Sequence, residues 1–234
     1  MEKIIKKIFF FSIIINCILG QNYNISVFNI PVAEVKQIFN NQNTIEYEAR
    51  SVGIIDMIWP TKNFYSCKFD SNNYGIRGWR KNIKQGDYKK KTHVNYNPET
   101  SELIYDSNKK VPITEYTQNI FTLLAMVQKT NYVKLDAHWF KFEHNGQLGK
   151  ARFLWADSIN VNYGENTILC DHYRLDIILD NDSDKLQETS DYFMSEIISP
   201  SIIRQLWVSR ESKKRIIQTS VDYKGLTILA LIDE

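Results

Sequence analysis

Apolar and polar residues alternate with a period of two along most of this chain, and that pattern predicts β-strands. In residues 45–51, Ile45, Tyr47 and Ala49 fall on one side and Glu46, Glu48 and Arg50 on the other, as in a strand with one buried face. Upstream, Ile25, Val27, Ile30, Val32, Val35 and Ile38 predict one or two strands broken at Pro31, since proline in a sheet is confined to edges and bends. Residues 63–69, 102–105, 138–144, 150–155, 167–179, 205–209, 215–223 and 226–232 carry the same pattern between turn-forming clusters. Asn145-Gly146 is the strongest hairpin signal. Residues 52–60 are apolar without alternation and are expected to plug one end of the sheet. After Pro112 the period changes: Tyr116, Ile120, Leu123, Leu124 and Val127 recur at helical spacing. Thr114 is the expected N-cap, with Glu115 in the first turn and Lys129 near the last. Residues 181–200 are polar and irregular, with room for a second helix or lid around Tyr192-Phe193-Met194.

The longest alternating stretch, residues 74–96, predicts two strands folded back at Gln85-Gly86-Asp87. On the return strand Tyr88, Thr92, Val94 and Tyr96 share one face, and Lys89, Lys91, His93 and Asn95 the other. The outgoing strand keeps phase only with one residue added near Gly78. A bulge there aligns Tyr74 and Ile76 with Trp79 and Ile83. A hairpin this long is marginal alone and requires a curved sheet around it.

The N-terminus is of different material. Lys3, Lys6 and Lys7 precede an uncharged apolar run, Ile8 to Leu19, of about a dozen residues, which suits a signal peptide and falls short of the roughly 20 a membrane span needs. A cut after Gly20 is expected, with residues 21–234 forming a single domain and no transmembrane span in the mature chain. Lipidation at Cys17 is disfavoured, because Ile14-Ile15-Asn16 lacks the small residue such processing requires. Removing three of the 29 basic side chains and one of the 27 acidic ones leaves the mature chain balanced, so its charge gives no argument for nucleic acid.

With 43% hydrophobic and 13% aromatic residues the chain has ample core material. Cys67 and Cys170 remain after cleavage; either they form a disulfide in an oxidising compartment or each is a small buried residue on its own strand.

Several stretches resemble a known family. Tyr47-Glu-Ala-Arg-Ser-Val-Gly53 with Ile55-Asp56, the hairpin residues 77–86, the helix from about Tyr116, and Leu206-Trp-Val-Ser-Arg210 through Lys224-Gly225 to Leu231 are similar to the Domain of Unknown Function 3108 family. The resemblance covers nearly all of the mature chain and departs from it at residues 181–200. It implies an exported bacterial protein, periplasmic or envelope-associated, with a curved antiparallel sheet similar to the YmcC-like barrel fold. It supplies no activity, because the family has none assigned.

Candidate chemistry is sparse. His138 and His144 share a strand face, but six residues at about 3.3 Å each separate them by roughly 20 Å, too far to share a zinc ion. No metal site and no cofactor are expected. Glu46, Glu48, Asp136, Glu143, Asp171 and Asp176 lie on strands with no spacing that selects an acid–base pair. No nucleophile elbow, phosphate loop or dinucleotide fingerprint is present, so no catalytic residue is assigned. The basic hairpin, with Arg77, Arg80, Lys81, Lys84 and Lys89 to Lys91, admits two readings. It is either a docking surface for an anionic lipid or polysaccharide, or a solvated edge whose lysines block aberrant pairing.

These observations lead to a mostly β fold: a single antiparallel β-barrel or half-barrel of about ten strands with one capping α-helix. The expected function is an exported binding or scaffolding module for a lipid or polysaccharide, or a part of an envelope protein complex. Arg77, Trp79, Lys81, Tyr88 and Lys90 are its candidate ligand contacts. A hydrolase using strand carboxylates or His172 is the alternative.

Overall fold

The structure is a computed structural model that describes residues 19–40, 43–180, 191–223 and 225–233. The expected leader lies outside these residues apart from Leu19 and Gly20. Those two residues open the first strand, opposite Phe39 and Ile38.

One antiparallel sheet of fourteen strands organises the chain, four more than the pattern suggested. Its strands are β1 (Leu19–Val27), β2 (Ile30–Asn40), β3 (Thr44–Ser51), β4 (Lys62–Phe69), β5 (Ile76–Gln85), β6 (Tyr88–Asn97), β7 (Glu102–Tyr105) and β8 (Lys110–Pro112), then β9 (Phe140–His144), β10 (Gln147–Tyr163), β11 (Asn166–Leu179), β12 (Ile203–Ser209), β13 (Ile216–Tyr223) and β14 (Leu226–Ile232). The lateral order runs from β8 down to β1, then from β14 back to β9, so β8 and β9 are the two edges. Strands adjacent in sequence are adjacent in the sheet except β8 and β9, and β1 joins the two halves through β14.

The extra strands come from breaks that alternation alone conceals. β1 and β2 part at Phe28-Asn29, both left-handed with φ 51° and 62°, and not at Pro31. A turn with two positive φ values matches the twist of the flanking strands. Pro31 instead sits inside β2 beside a bulge at Val32, where a missing N–H is tolerated. The bulge expected near Gly78 is present: Lys68 pairs with Gly78 and Phe69 with Ile76, leaving Arg77 as the extra residue. Gly78 has φ 152°, and a Cβ there would lie 3.0 Å from the Val94 carbonyl oxygen, so glycine is required. Further bulges at Ala156 and Ile217 add local twist, and the sheet curls around its own core.

The concave face carries that core, with Ile45, Tyr65, Phe69, Ile83, Phe142 and Tyr173 among its buried residues. Helix α2 (Ile120–Val127) covers it through Leu123, Ala125, Met126 and Val127, and Phe121 packs on Tyr47 and Tyr65 at 5.5 and 5.2 Å. Its N-cap lies five residues later than the expected Thr114. Asn119 caps it: its side chain accepts from the Thr122 N–H at 3.0 Å while its own N–H donates to Thr122 Oγ1 at 3.1 Å.

Residues 113–119 are not helical because strands β5 and β9 use their backbone. The Thr117 carbonyl accepts from the Ile76 N–H at 2.9 Å, the Gln118 N–H donates to the Lys141 carbonyl at 2.8 Å, and the Gln118 carbonyl accepts from the Glu143 N–H at 2.8 Å. No ladder joins β8 to β9, so the barrel is open, and this segment bridges the seam.

Three further helices join the expected one, and α4 falls where the sequence left room for a second. The stretch predicted to plug the sheet forms α1 (Gly53–Ile58), none of whose residues is buried. α3 (Tyr132–Leu135) packs beside β10, and α4 (Tyr192–Ile198) buries Met194 and Ile198 against the core. Residues 181–190 lie outside the described residues. Cys67 and Cys170 are both free: Cys67 faces Asn119 inside the curl, and Cys170 joins Val161 and Ile217 in a separate small cluster.

Candidate functional site

The seam between β8 and β9 opens into a groove of about 1070 Å³. Its walls bring together residues distant in the chain: Arg77 from the β5 bulge, Tyr96 from β6, Tyr116 and Gln118 from the bridging segment, and Trp139 with Phe140 from the start of β9. The bulge at Arg77 swings its side chain out of the strand alternation, where Asp70 receives it at 3.1 Å and Tyr96 lies under the guanidinium at 5.1 Å. The carboxyl of Asp70 is held below its ordinary range, chiefly by the Asn72 N–H and also by Arg77.

Aromatic surface and positive charge alternate along the groove. Tyr116 is 57% exposed, and His138 stands edge-on to Phe140 at 4.6 Å. Lys150 and Arg152 lie over the Trp139 ring at 4.8 and 4.4 Å. Two polar atoms at this site have no hydrogen-bond partner among the described residues: Arg77 Nη1, a donor, and Gln118 Oε1, an acceptor. Both atoms are shielded from solvent, and Gln118 is 2% exposed, so neither is presented to the open groove.

The other four candidate contacts lie elsewhere. Trp79 is buried on the concave face, edge-on to Tyr105 at 5.7 Å. Lys81 points inward too, with Nζ 3.0 Å from Asn145 Oδ1 and 3.9 Å from Asp191 Oδ2. Tyr88 and Lys90 are half-buried on the same face, nearer the hairpin turn. Of the five candidate contacts only Arg77 lies at the groove; for Tyr96, Tyr116, Trp139 and Phe140 the only linear signal was the aromatic surplus, and for Gln118 there was none.

Inside the curl, Lys81, Glu143, Asp191, Tyr65 and Trp79 surround a space of only about 20 Å³. Glu143 accepts from the Tyr105 hydroxyl and, at 2.6 Å, from the Gly146 N–H, yet burial still pushes its carboxyl above the usual range. A second, apolar cavity of about 160 Å³ lies between α2, α4 and the sheet. A network of Gln21, Gln37 and Gln128 adjoins it, Gln128 Oε1 accepting from the other two at 3.0 and 3.1 Å.

His172 lies on the convex face. Its Nδ1 is 3.2 Å from Asp157, its Nε2 2.8 Å from Gln205, and its ring stacks on Trp207 at 4.5 Å. Asp171 points to the opposite face against Arg210 at 2.7 Å, and Asp176 is held by Arg152 and Arg174. Among the described residues no group of three or more His, Cys, Asp or Glu side chains is placed to hold a metal ion.

No family model and no curated protein matches the chain. Among solved structures it is similar to a beta-barrel-like protein of Domain of Unknown Function DUF1849 from Brucella abortus, with TM-score 0.63, 9% identity, and coverage of 92% of this chain and 95% of that one. That likeness shows the barrel-like fold. The hypothetical lipoprotein YmcC from Escherichia coli (K12) is similar at TM-score 0.38 and 7% identity over 91% of this chain and 85% of that one, too low to carry an argument. Among the described residues no helix is long and apolar enough to cross a membrane.

Proposed function

We propose that this protein is an exported binding module, related to the Domain of Unknown Function 3108 proteins, that holds a polysaccharide strand in the seam groove. The observation that carries this reading is the gathering of four aromatic side chains, Tyr96, Tyr116, Trp139 and Phe140, with the cations Arg77 and Lys141 around one open trough. Aromatic rings offer flat apolar platforms to the C–H faces of sugars, while guanidinium and amide groups take the hydroxyls and any carboxylates.

Size favours a polysaccharide over a lipid. Ligand sites typically enclose about 300–1,000 Å³. The groove reaches that scale, whereas the interior apolar cavity, at about 160 Å³, is close to one that takes a single benzene ring. The groove works by binding alone. Glycoside hydrolysis uses a pair of carboxyl groups, and Glu115 is the single carboxylate among the described residues lining the trough. Export rests on the charged and apolar pattern of residues 1–20.

Affinity electrophoresis through gels cast with a panel of acidic and neutral polysaccharides tests this reading. Retardation by at least one polymer, abolished by Trp139→Ala with the fold intact, is expected; unretarded migration in every gel contradicts it.

A further inference from the structure

Helix α1 and the strand ends around it form a surface unlike the rest of the molecule. Phe28 and Ile30 from the β1–β2 turn are 76% and 59% exposed, and Ile54, Met57, Ile58 and Trp59 from the β3–β4 connection are 68%, 85%, 73% and 49% exposed. They belong together: the Val52 N–H donates to the Val32 carbonyl at 3.1 Å, which seats α1 beside the start of β2. The Trp59 ring covers Gly86 in the turn of the basic hairpin, and the Gly86 N–H donates to the Pro60 carbonyl at 2.9 Å. Side chains of this size gathered at one end of a sheet mark an interaction surface.

Strand register explains what lies beside it. Arg50 pairs with Lys62 on β3 and β4, and Lys84 with Lys89 on β5 and β6. The Thr61–Gln85 bridge and the Phe64–Asn82 pair place Lys62 opposite Lys84. Four cationic residues therefore form one outward row across four neighbouring strands, about 4.8 Å apart, at the rim that carries α1. Arg50 is paired with Glu34 at 2.6 Å. Lys62, Lys84 and Lys89 make no ion pair among the described residues. Like charges directly opposite in a sheet repel, and an array of anions relieves that repulsion. Asp56, the acid on α1, is turned back onto Ser51 Oγ at 2.6 Å.

We propose that this rim rests on an anionic lipid bilayer. The apolar side chains of α1 and of the β1–β2 turn enter the acyl boundary, and Lys62, Lys84 and Lys89 meet the headgroups. A bilayer surface supplies both requirements at once, a hydrocarbon layer bounded by a plane of negative charge. β5 runs from the groove at Arg77 to the rim at Gln85, so the groove opens roughly 25–30 Å from the membrane plane. This surface is independent of the groove, and loss of glycan binding leaves it intact.

The test uses the full chain with Cys17→Ser, in which Cys67 and Cys170 are buried, and one added thiol carrying a polarity-sensitive fluorophore. The thiol is placed by Met57→Cys on α1 or by Ser101→Cys beside the groove. Vesicles are phosphatidylcholine alone or enriched in phosphatidylglycerol. The label at 57 shifts to the blue with the anionic vesicles while that at 101 does not. The combined Lys62→Gln, Lys84→Gln and Lys89→Gln changes weaken the vesicle affinity on the order of a hundredfold, at about fivefold for each charge. No shift at 57, an equal shift at both positions, or binding indifferent to the three lysines overturns the proposal, the last two pointing to residues 1–20 as the anchor.

Discussion

The Tyr105 hydroxyl on β7 donates a hydrogen bond to the Glu143 carboxylate on β9, across the seam that the ladder leaves open. Both residues are almost wholly buried, so the contact ties the two ends of a sheet that has no edge-to-edge pairing. Replacing Tyr105 by Phe leaves a buried carboxylate short of a donor. We expect a loss of about 1–3 kcal/mol, read from urea denaturation at neutral pH.

The same carboxylate makes stability depend on pH. Burial, its largest influence, raises the folded-state pKa of Glu143 above the unfolded value. Between the two values the folded chain binds more protons than the unfolded one, so this group's contribution to stability falls as pH rises through that window and is flat above it. Glu143→Gln removes this dependence. The wild-type stability minus that of Glu143→Gln, measured by urea denaturation, therefore grows more favourable as pH falls through that window. An unchanging difference contradicts the assignment.

Gly75 lets the bridging segment reach the sheet. A Cβ at this position would lie 1.8 Å from the Glu115 carbonyl oxygen. Gly75→Ala must push residues 113–119 outward and deform the groove. We expect a destabilisation of about 1–3 kcal/mol, together with loss of polysaccharide retention.

How much of this was legible in the sequence depended on whether a signal was local. The Gly78 bulge showed as a slip in phase, and Asn145-Gly146 announced its own turn, with φ 51° and 84°. Thr114 looked like a cap because helical spacing extends back to Tyr116. The competing demand, β5 and β9 needing the backbone of Thr117 and Gln118, is non-local and leaves no trace in periodicity. The same holds for the groove: Arg77, Tyr96, Tyr116 and Trp139 meet only because the sheet curls. The basic hairpin divides between two faces, since alternation sends Lys81 inward and Lys84 outward.

The two thiols are expected to be inert in the folded protein. Burial pushes Cys67 up to about 12 and Cys170 up to about 11, so neither supplies thiolate near neutral pH. A maleimide should modify neither in native protein at pH 8 and both in urea without a reductant. Rapid native labelling of Cys67 would show that α2 does not cover the concave face as described.

α2 holds that face closed through Leu123, which is fully buried. Leu123→Ala should cost about 2–5 kcal/mol by thermal or urea unfolding. Lys91→Gln, on the exposed face of β6, should stay within about 0.5 kcal/mol of wild type.

Hydrogen–deuterium exchange with and without the polysaccharide that retards migration most addresses the groove directly. Slowed exchange confined to residues 113–119 and 138–141, with residues 53–59 unchanged, is the predicted result. Unaltered exchange along the seam, or protection only at α1, would contradict the assignment of the groove as the binding site.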